Sequence, residues 1–395
     1  MKKPLALAIA ATLGSTLMMP AVAAEQAETL QDAIKGGTVD LNFRLRYEDV
    51  EQDNALDDAS ALTLRSRLTY TTKAYNNFQA QVEVDDVSEL ADENHFDGEN
   101  DMGDHSTILD PEGSEINQAW IAYTGLSNTV IKHGRQRVNL DNQRFIGGVA
   151  WRQNEQTYDA TAVINTSLPD TTIVAAYVKG VNTINEGDID TDSTLLNINY
   201  SGLSFAKVAL YNYDIEADGT DTTGIRLTGS PEIAGLKVNY ELEYADQEND
   251  IANTDAEYTH IALGTTLGPV GIKVGQEVLG SDDGAYGFTT TLATKHKFNG
   301  FADVFLATPA DGLEDSYLTL SGKCPLTGAK LSLTYHEFDS DEGSTDYGDE
   351  INFAAAKKVT DNLKIVLKYA DYSKGDSATT QVDTQKLWLQ AQMNF

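Results

Sequence analysis

The chain has 395 residues, 41% of them hydrophobic, and 61 acidic against 28 basic side chains, a net charge of -33. That acid excess excludes nucleic acid as a partner, and the lone Cys324 excludes an intramolecular disulfide. Beyond the first residues no run approaches the roughly 20 apolar residues of a membrane helix, a test that cannot see a membrane barrel made of alternating strands.

The start, MKKPLALAIAATLGSTLMMPAVAA, has a basic end (Lys2, Lys3), an apolar stretch and small residues at Ala21 and Ala23, the layout of a secretory signal peptide over 1–24. Removing Lys2 and Lys3 leaves 26 basic against 61 acidic residues, a charge of -35. Residues 25–37 are expected to form a short periplasmic segment, and 38–395 a single β-barrel.

From residue 38 the organising signal has period two. In TVDLNFRLRYE, Val39, Leu41, Phe43, Leu45 and Tyr47 share one face, and Asp40, Asn42, Arg44, Arg46 and Glu48 the other. The alternation recurs and predicts about twenty strands: 38–48, 60–72, 76–86, 115–125, 129–138, 157–166, 171–181, 193–201, 203–213, 223–230, 234–246, 256–267, 270–280, 286–297, 300–307, 316–323, 329–338, 350–357, 361–372 and 384–395.

Short connections such as AYNN, GLSN and LGPV take turns with longer acid-rich ones such as EDVEQDNALDDAS and the long stretch from Glu89 to Glu115. That asymmetry is the mark of an outer-membrane barrel, with turns in the periplasm, loops outside and an even strand number. Of eighteen tyrosines many, such as Tyr47, Tyr70, Tyr123, Tyr200, Tyr244 and Tyr369, end apolar faces where a ring sits at the headgroup level. A soluble β-sandwich array also alternates, but does not segregate its loop lengths so regularly.

The last stretch, KLWLQAQMNF, places Leu387, Leu389, Ala391, Met393 and Phe395 on one face. A final strand ending in an aromatic is read as the signal by which the barrel-assembly machinery captures it, by strand addition.

Nine arginines are present, and four of them, Arg135, Arg137, Arg144 and Arg152, lie in GRQRVNLDNQRFIGGVAWRQ. Four more, Arg44, Arg46, Arg65 and Arg67, fall on the polar faces of the first two strands and so point into the lumen, where Glu83, Asp85 and Asp141 are candidate opposing acids. Such groups are tolerable in a water-filled channel and act there as a selectivity device. The central segment is expected to fold back into the barrel as part of a constriction, with Gly147 and Gly148 supplying the backbone freedom for the reversal. The bland alternative pairs its arginines with loop acids at the rim. Lys237, Lys273, Lys295, Lys364, Lys368 and Lys386 also fall on polar faces.

Three stretches, TLQDAIKGGTVDLNFRLRYE (29–48), GRQRVNLDNQRFIGGVAWRQNEQTYDA (134–160) and the terminal strand, resemble the alginate-export type of Gram-negative outer-membrane porin. The resemblance implies a monomeric barrel of about eighteen strands with an arginine-rich pore. The chain is shorter than an exporter of long polyuronates would suggest and has few arginines elsewhere, so the likeness is carried over for architecture rather than for polymer export.

The function expected is passive diffusion of small hydrophilic solutes, acidic sugars or carboxylates, with no cofactor and no catalysis. An outer-membrane lipase or protease would need a nucleophile beside a histidine, and none of the six histidines lies in a G-x-S-x-G or comparable motif. A surface receptor or adhesin would need long structured loops, and only 87–114 qualifies. The acidic loops are candidates for divalent cations or for cation-bridged lipopolysaccharide. DIDTD is not an EF-hand, because position 193 is Ser. His95 and His105 in the long acidic loop leave a metal site open.

Overall fold

The computed structural model describes residues 26–91 and 94–395. The expected signal peptide lies outside the described residues. A short helix, α1 (Leu30–Lys35), begins on Thr29, whose hydroxyl accepts from the Asp32 N–H, and ends where Gly36 N–H donates to Asp32 O. It sits at the short-turn end, with Lys73 N–H donating to Ala33 O.

Eighteen antiparallel strands follow. They are β1 (Thr38–Gln52), β2 (Ala59–Thr71), β3 (Phe78–Glu89), β4 (Gly113–Leu126), β5 (Thr129–Gln136), β6 (Thr157–Asn165), β7 (Thr171–Asn182), β8 (Asp188–Tyr200) and β9 (Lys207–Ile215), then β10 (Thr220–Gly229), β11 (Leu236–Asn249), β12 (Thr254–Leu267), β13 (Val270–Leu279), β14 (Leu313–Lys323), β15 (Lys330–Asp339), β16 (Asp346–Lys358), β17 (Leu363–Lys374) and β18 (Thr384–Asn394). Each pairs with its neighbour in sequence, and β18 returns to β1 in a register running from Asn42↔Asn394 to Gln52↔Thr384. Closure leaves no edge, so the backbone groups of every strand find partners within the ring, as a hydrocarbon environment demands. At the seam Phe395 exchanges both backbone hydrogen bonds with Leu41 and sets its ring edge-on to Phe43, 6.4 Å away.

Period two sorts the side chains. On β1 Leu41, Leu45 and Tyr47 are exposed on the outside while Arg44, Arg46 and Glu48 are buried inside. The same outward apolar belt continues through Leu68, Val82, Leu196, Leu242, Ile261, Leu320 and Leu389, as lipid contact requires. Asparagine closes one of the tightest turns, Asn128 taking the left-handed conformation at φ 52°.

Two expected strands, 286–297 and 300–307, are not strands of the barrel. Residues 280–312 connect β13 to β14, and much of that connection folds into the lumen, with a two-residue hairpin (Ser281–Asp282 with Tyr286–Gly287) and a single 3-10 turn (Lys295–Lys297) as its regular structure. Its alternation of apolar and polar residues arises because Phe288, Leu292, Ala302 and Phe305 enter an interior core while His296 and Asn299 meet lumen-facing polar groups. Buried against buried, this segment imitates a strand in composition without pairing as one.

The acid-rich stretches also differ from expectation. EDVEQ completes β1, and DIDTD begins β8, so strands run on past the apolar belt. Length on that end is concentrated in three connections, 90–112, 137–156 and 280–312.

Candidate functional site

Residues 137–156, between β5 and β6, cross the lumen and meet the second inward segment. Gly147 N–H donates to Leu292 O (2.9 Å), Thr294 N–H to Gln143 O (3.0 Å), and Arg144 Nη2 to Asn299 Oδ1 (2.8 Å). Trp151 stacks on His296 with ring centroids 4.7 Å apart and planes 7° from parallel. Beside this junction Phe145 packs among Tyr211, Tyr213, Tyr258 and Phe288 at 5.3–6.3 Å. Burying each such ring contributes about 1.5–3 kcal/mol, so an apolar core forms inside the barrel rather than on its outside.

The backbone reversal in 137–156 falls on non-glycine residues: Asp141 (φ 49°), Gln143 (67°) and Val149 (48°) have positive φ, whereas Gly147 and Gly148 do not. The need for glycine at 147 is one of space. A Cβ there would lie 2.2 Å from Thr294 Oγ1 and 3.1 Å from Thr294 N. The glycine thus lets two backbones approach instead of bending one.

The four wall arginines point inward but are covered. Their residues are between 1% and 8% exposed. Arg44 and Arg65 are direct cross-strand partners, a like-charge pairing that costs free energy unless each cation is satisfied. Segment 150–155 satisfies them. Arg44 Nη1 donates to the carbonyls of Ala150, Trp151 and Arg152 at 2.9–3.3 Å, Arg65 Nη1 donates to Gln153 O (3.1 Å), and Arg46 lies 4.3 Å over the Trp151 ring while donating to Trp151 O, Asp110 and Gln390.

Acids complete the arrangement. Arg67 is bidentate on Asp85 and also binds Glu155, and Arg137 bridges Glu155 and Glu83. Burial pushes the Glu155 carboxyl up, but Arg137, Arg67 and Arg65 outweigh it and hold it well below the usual carboxylate range. Arg152 binds Glu48 through both carboxylate oxygens (3.1 and 3.2 Å), with Asp110 at 3.8 Å and Asp303 at 3.6 Å. Glu83 and Asp85 therefore face the arginines, as the strand faces indicate.

Three expected members stand elsewhere. Asp141 accepts from Asn197 (2.6 Å) and Asn199 (3.0 Å) on the β8 wall, away from the arginine wall. Arg135, on β5, pairs with Asp159 (3.0 Å) and Asp188 (3.4 Å) and is partly exposed, the rim-type arrangement. Arg144 runs the other way, to Glu277 (2.9 Å), with Phe298 4.7 Å from its guanidinium. Lys295 belongs to the 3-10 turn and not to a strand, while Lys368 sits 3.3 Å from the Phe301 ring centre and 2.5 Å from His296 Nε2.

Glu48, Asp110, Glu155, His296 and Asp303 carry much of the site's charge pairing, and sequence reasoning does not single them out for it. Glu155 does have a signal, being an acid just beyond the W-R-Q element. Asp303 and His296 are hidden, because their segments alternate as strands do.

On the long-loop side of this junction lies a cavity of about 540 Å³, walled by Val50, Leu109, Val304 and Val382 and carrying Arg152, Asp303 and Lys386 as its charged lining residues. Among the described residues, Asp57, Asp104 and His105 bring ligand atoms within 4.8 Å of one another on exposed loops, whereas His95 is buried against Glu89. No described helix is long and apolar enough to cross a membrane.

The fold is shared with several solved structures. Acinetobacter baumannii OccAB2 superposes with a TM-score of 0.75 at 15% identity, over 92% of this chain and 99% of the other. Pseudomonas aeruginosa OccD3 gives 0.70 at 14%, over 92% of each chain, and Pseudomonas aeruginosa OpdK, solved with vanillate, gives 0.72 at 12%, over 92% of this chain and 99% of that one. No curated protein matches the sequence. The family model described as alginate export matches residues 37–275, more than half of the chain, and the chain belongs to that family, as an outer-membrane channel on a closed eighteen-stranded barrel.

Proposed function

We propose that this channel passes small hydrophilic anions, carboxylates or acidic sugars, by diffusion past the junction of its two inward segments. The observation that carries the reading is the cavity lined by Arg152 and Lys386 against a single acid, Asp303. An anion leaving water needs compensating donors, and guanidinium and ammonium groups held in a narrow, partly dehydrated space supply them more effectively than the same groups in bulk solvent. The vanillate bound by OpdK, an aromatic carboxylate, is consistent with a solute of this class. In this reading Arg44, Arg46, Arg65 and Arg67 fix the first inward segment in place, and Arg152 and Lys386, which line the cavity, act on the solute together with the partly exposed Arg137. The acidic loops face lipopolysaccharide through bridging divalent cations, and Phe395 serves barrel assembly before it closes the seam.

Swelling of liposomes carrying the folded protein tests the reading. Galacturonate and benzoate are expected to enter faster than lysine or arginine of similar size. Equal rates for cations and anions would overturn it.

A further inference from the structure

Asp303 is the only acid among the residues lining the outer cavity. Its Oδ1 is 2.7 Å from His296 Nδ1, but its Oδ2 reaches the two cations only at long range, 3.5 Å from Lys386 Nζ and 3.6 Å from Arg152 Nη2. Arg152 has Glu48 as a closer partner at 3.1 Å. The ammonium of Lys386 has no closer ion pair among the described residues. Asp303 itself is held in the left-handed region, φ 61°, a conformation costly for a non-glycine residue unless its surroundings enforce it. The two cations belong to different elements, Lys386 to β18 and Arg152 to the first inward segment, while the acid comes from the second.

We infer that Asp303 is a resident counter-anion of the outer cavity: its carboxylate occupies the position an entering solute's carboxylate would take between Lys386 and Arg152, and so sets how strongly an anion must bind to pass. The inference rests on the anion reading above and adds a residue that limits it. A carboxylate a few ångströms from the same two cations lowers their attraction for a second anion by Coulomb repulsion and by neutralising them. Removing its charge while keeping its shape takes from Lys386 its ion pair and from Arg152 its third acid, a state that an anion from solution relieves. Without this residue the cavity would hold anions too firmly to release them, and conduction requires binding weak enough to leave.

The test is planar-bilayer recording of the folded protein with benzoate as the probe anion, comparing wild type, Asp303→Asn and Asp303→Asn combined with Lys386→Gln. Retained folding is read separately from heat-modifiable migration on a gel. Asp303→Asn is expected to strengthen benzoate block on the order of tenfold and to shift the reversal potential toward chloride, and the double variant is expected to lose that gain. Block that is unchanged or weaker in folded Asp303→Asn, with wild type still blocked, overturns the inference. Wild-type channels indifferent to benzoate would instead overturn the anion reading on which it rests.

Discussion

The two segments that enter the barrel fill comparable space by different chemistry. Residues 137–156 pack Phe145 and Ile146 into the interior core, but their last part is held by charge: the carbonyls of 150–153 and Glu155 absorb Arg44, Arg65 and Arg67, and Glu155 also binds Arg137. Residues 288–306 are held by aromatic and aliphatic packing, Phe305 against Phe338, Tyr347 and Tyr372 at 4.6–6.0 Å, with only a few ionic ties such as Asp303 to Lys386. Buried charge is all or nothing, since removing one partner strands the others. Packing degrades by increments. The first segment is therefore expected to fail abruptly and the second gradually.

The largest effect is expected from Glu155→Gln. It leaves Arg65, Arg67 and Arg137 short of a buried acid and should destabilise the inward segment by about 3–5 kcal/mol, seen as faster protease cleavage within 137–156 and a several-fold larger single-channel conductance. Unaltered conductance and cleavage would mean that the wall arginines hold the segment without it.

Gly147→Ala comes next, since its Cβ would collide with Thr294 where the two backbones meet. A cost of about 1–3 kcal/mol is expected from overpacking, along with increased current noise from a loosened junction. The same substitution at Gly148, whose nearest neighbour would be Asn139 Oδ1 at 3.2 Å, should be milder.

Acid probes the other side of the contact. Burial, only partly offset by Asp303, pushes the His296 imidazole down to about 3. Because the unfolded side chain binds a proton near pH 6.5 and the buried one does not, stability falls as pH drops below about 6.5 and continues to fall until about 3, by about 1.4 kcal/mol per pH unit. His296→Asn should flatten that part of the unfolding profile. A profile equally steep in the variant would remove His296 as its source.

Arg135→Ala should matter least. Its pairs with Asp159 and Asp188 are partly exposed, and such bridges contribute less than about 1 kcal/mol. Comparing it with Arg137→Ala sharpens the distinction between rim and lumen, because only the latter should alter ion selectivity.

The difference between the segments also explains why one is legible in the sequence and the other is not. The first stands out because arginines are rare in an acid-rich chain and cluster around Gly147 and Gly148. The glycines nevertheless serve another purpose than the sequence suggests: it points to backbone angles, and the structure shows close approach. The second segment stays hidden because interior packing produces the same alternation as a strand, and periodicity reports burial without reporting hydrogen-bond partners. The strand faces themselves are legible throughout β1 and β2, since an outward leucine and an inward arginine differ so sharply. What the faces cannot convey is that the inward arginines of β1 and β2 are covered by another segment, which takes them out of contact with the water of the lumen.

An anion-passing lumen is tested most directly by the reversal potential of the reconstituted protein across a planar bilayer under a potassium chloride gradient. Stepwise channels are expected, with a potential on the chloride side that moves toward zero in Lys386→Gln. A potential on the potassium side that Lys386→Gln leaves in place would contradict it.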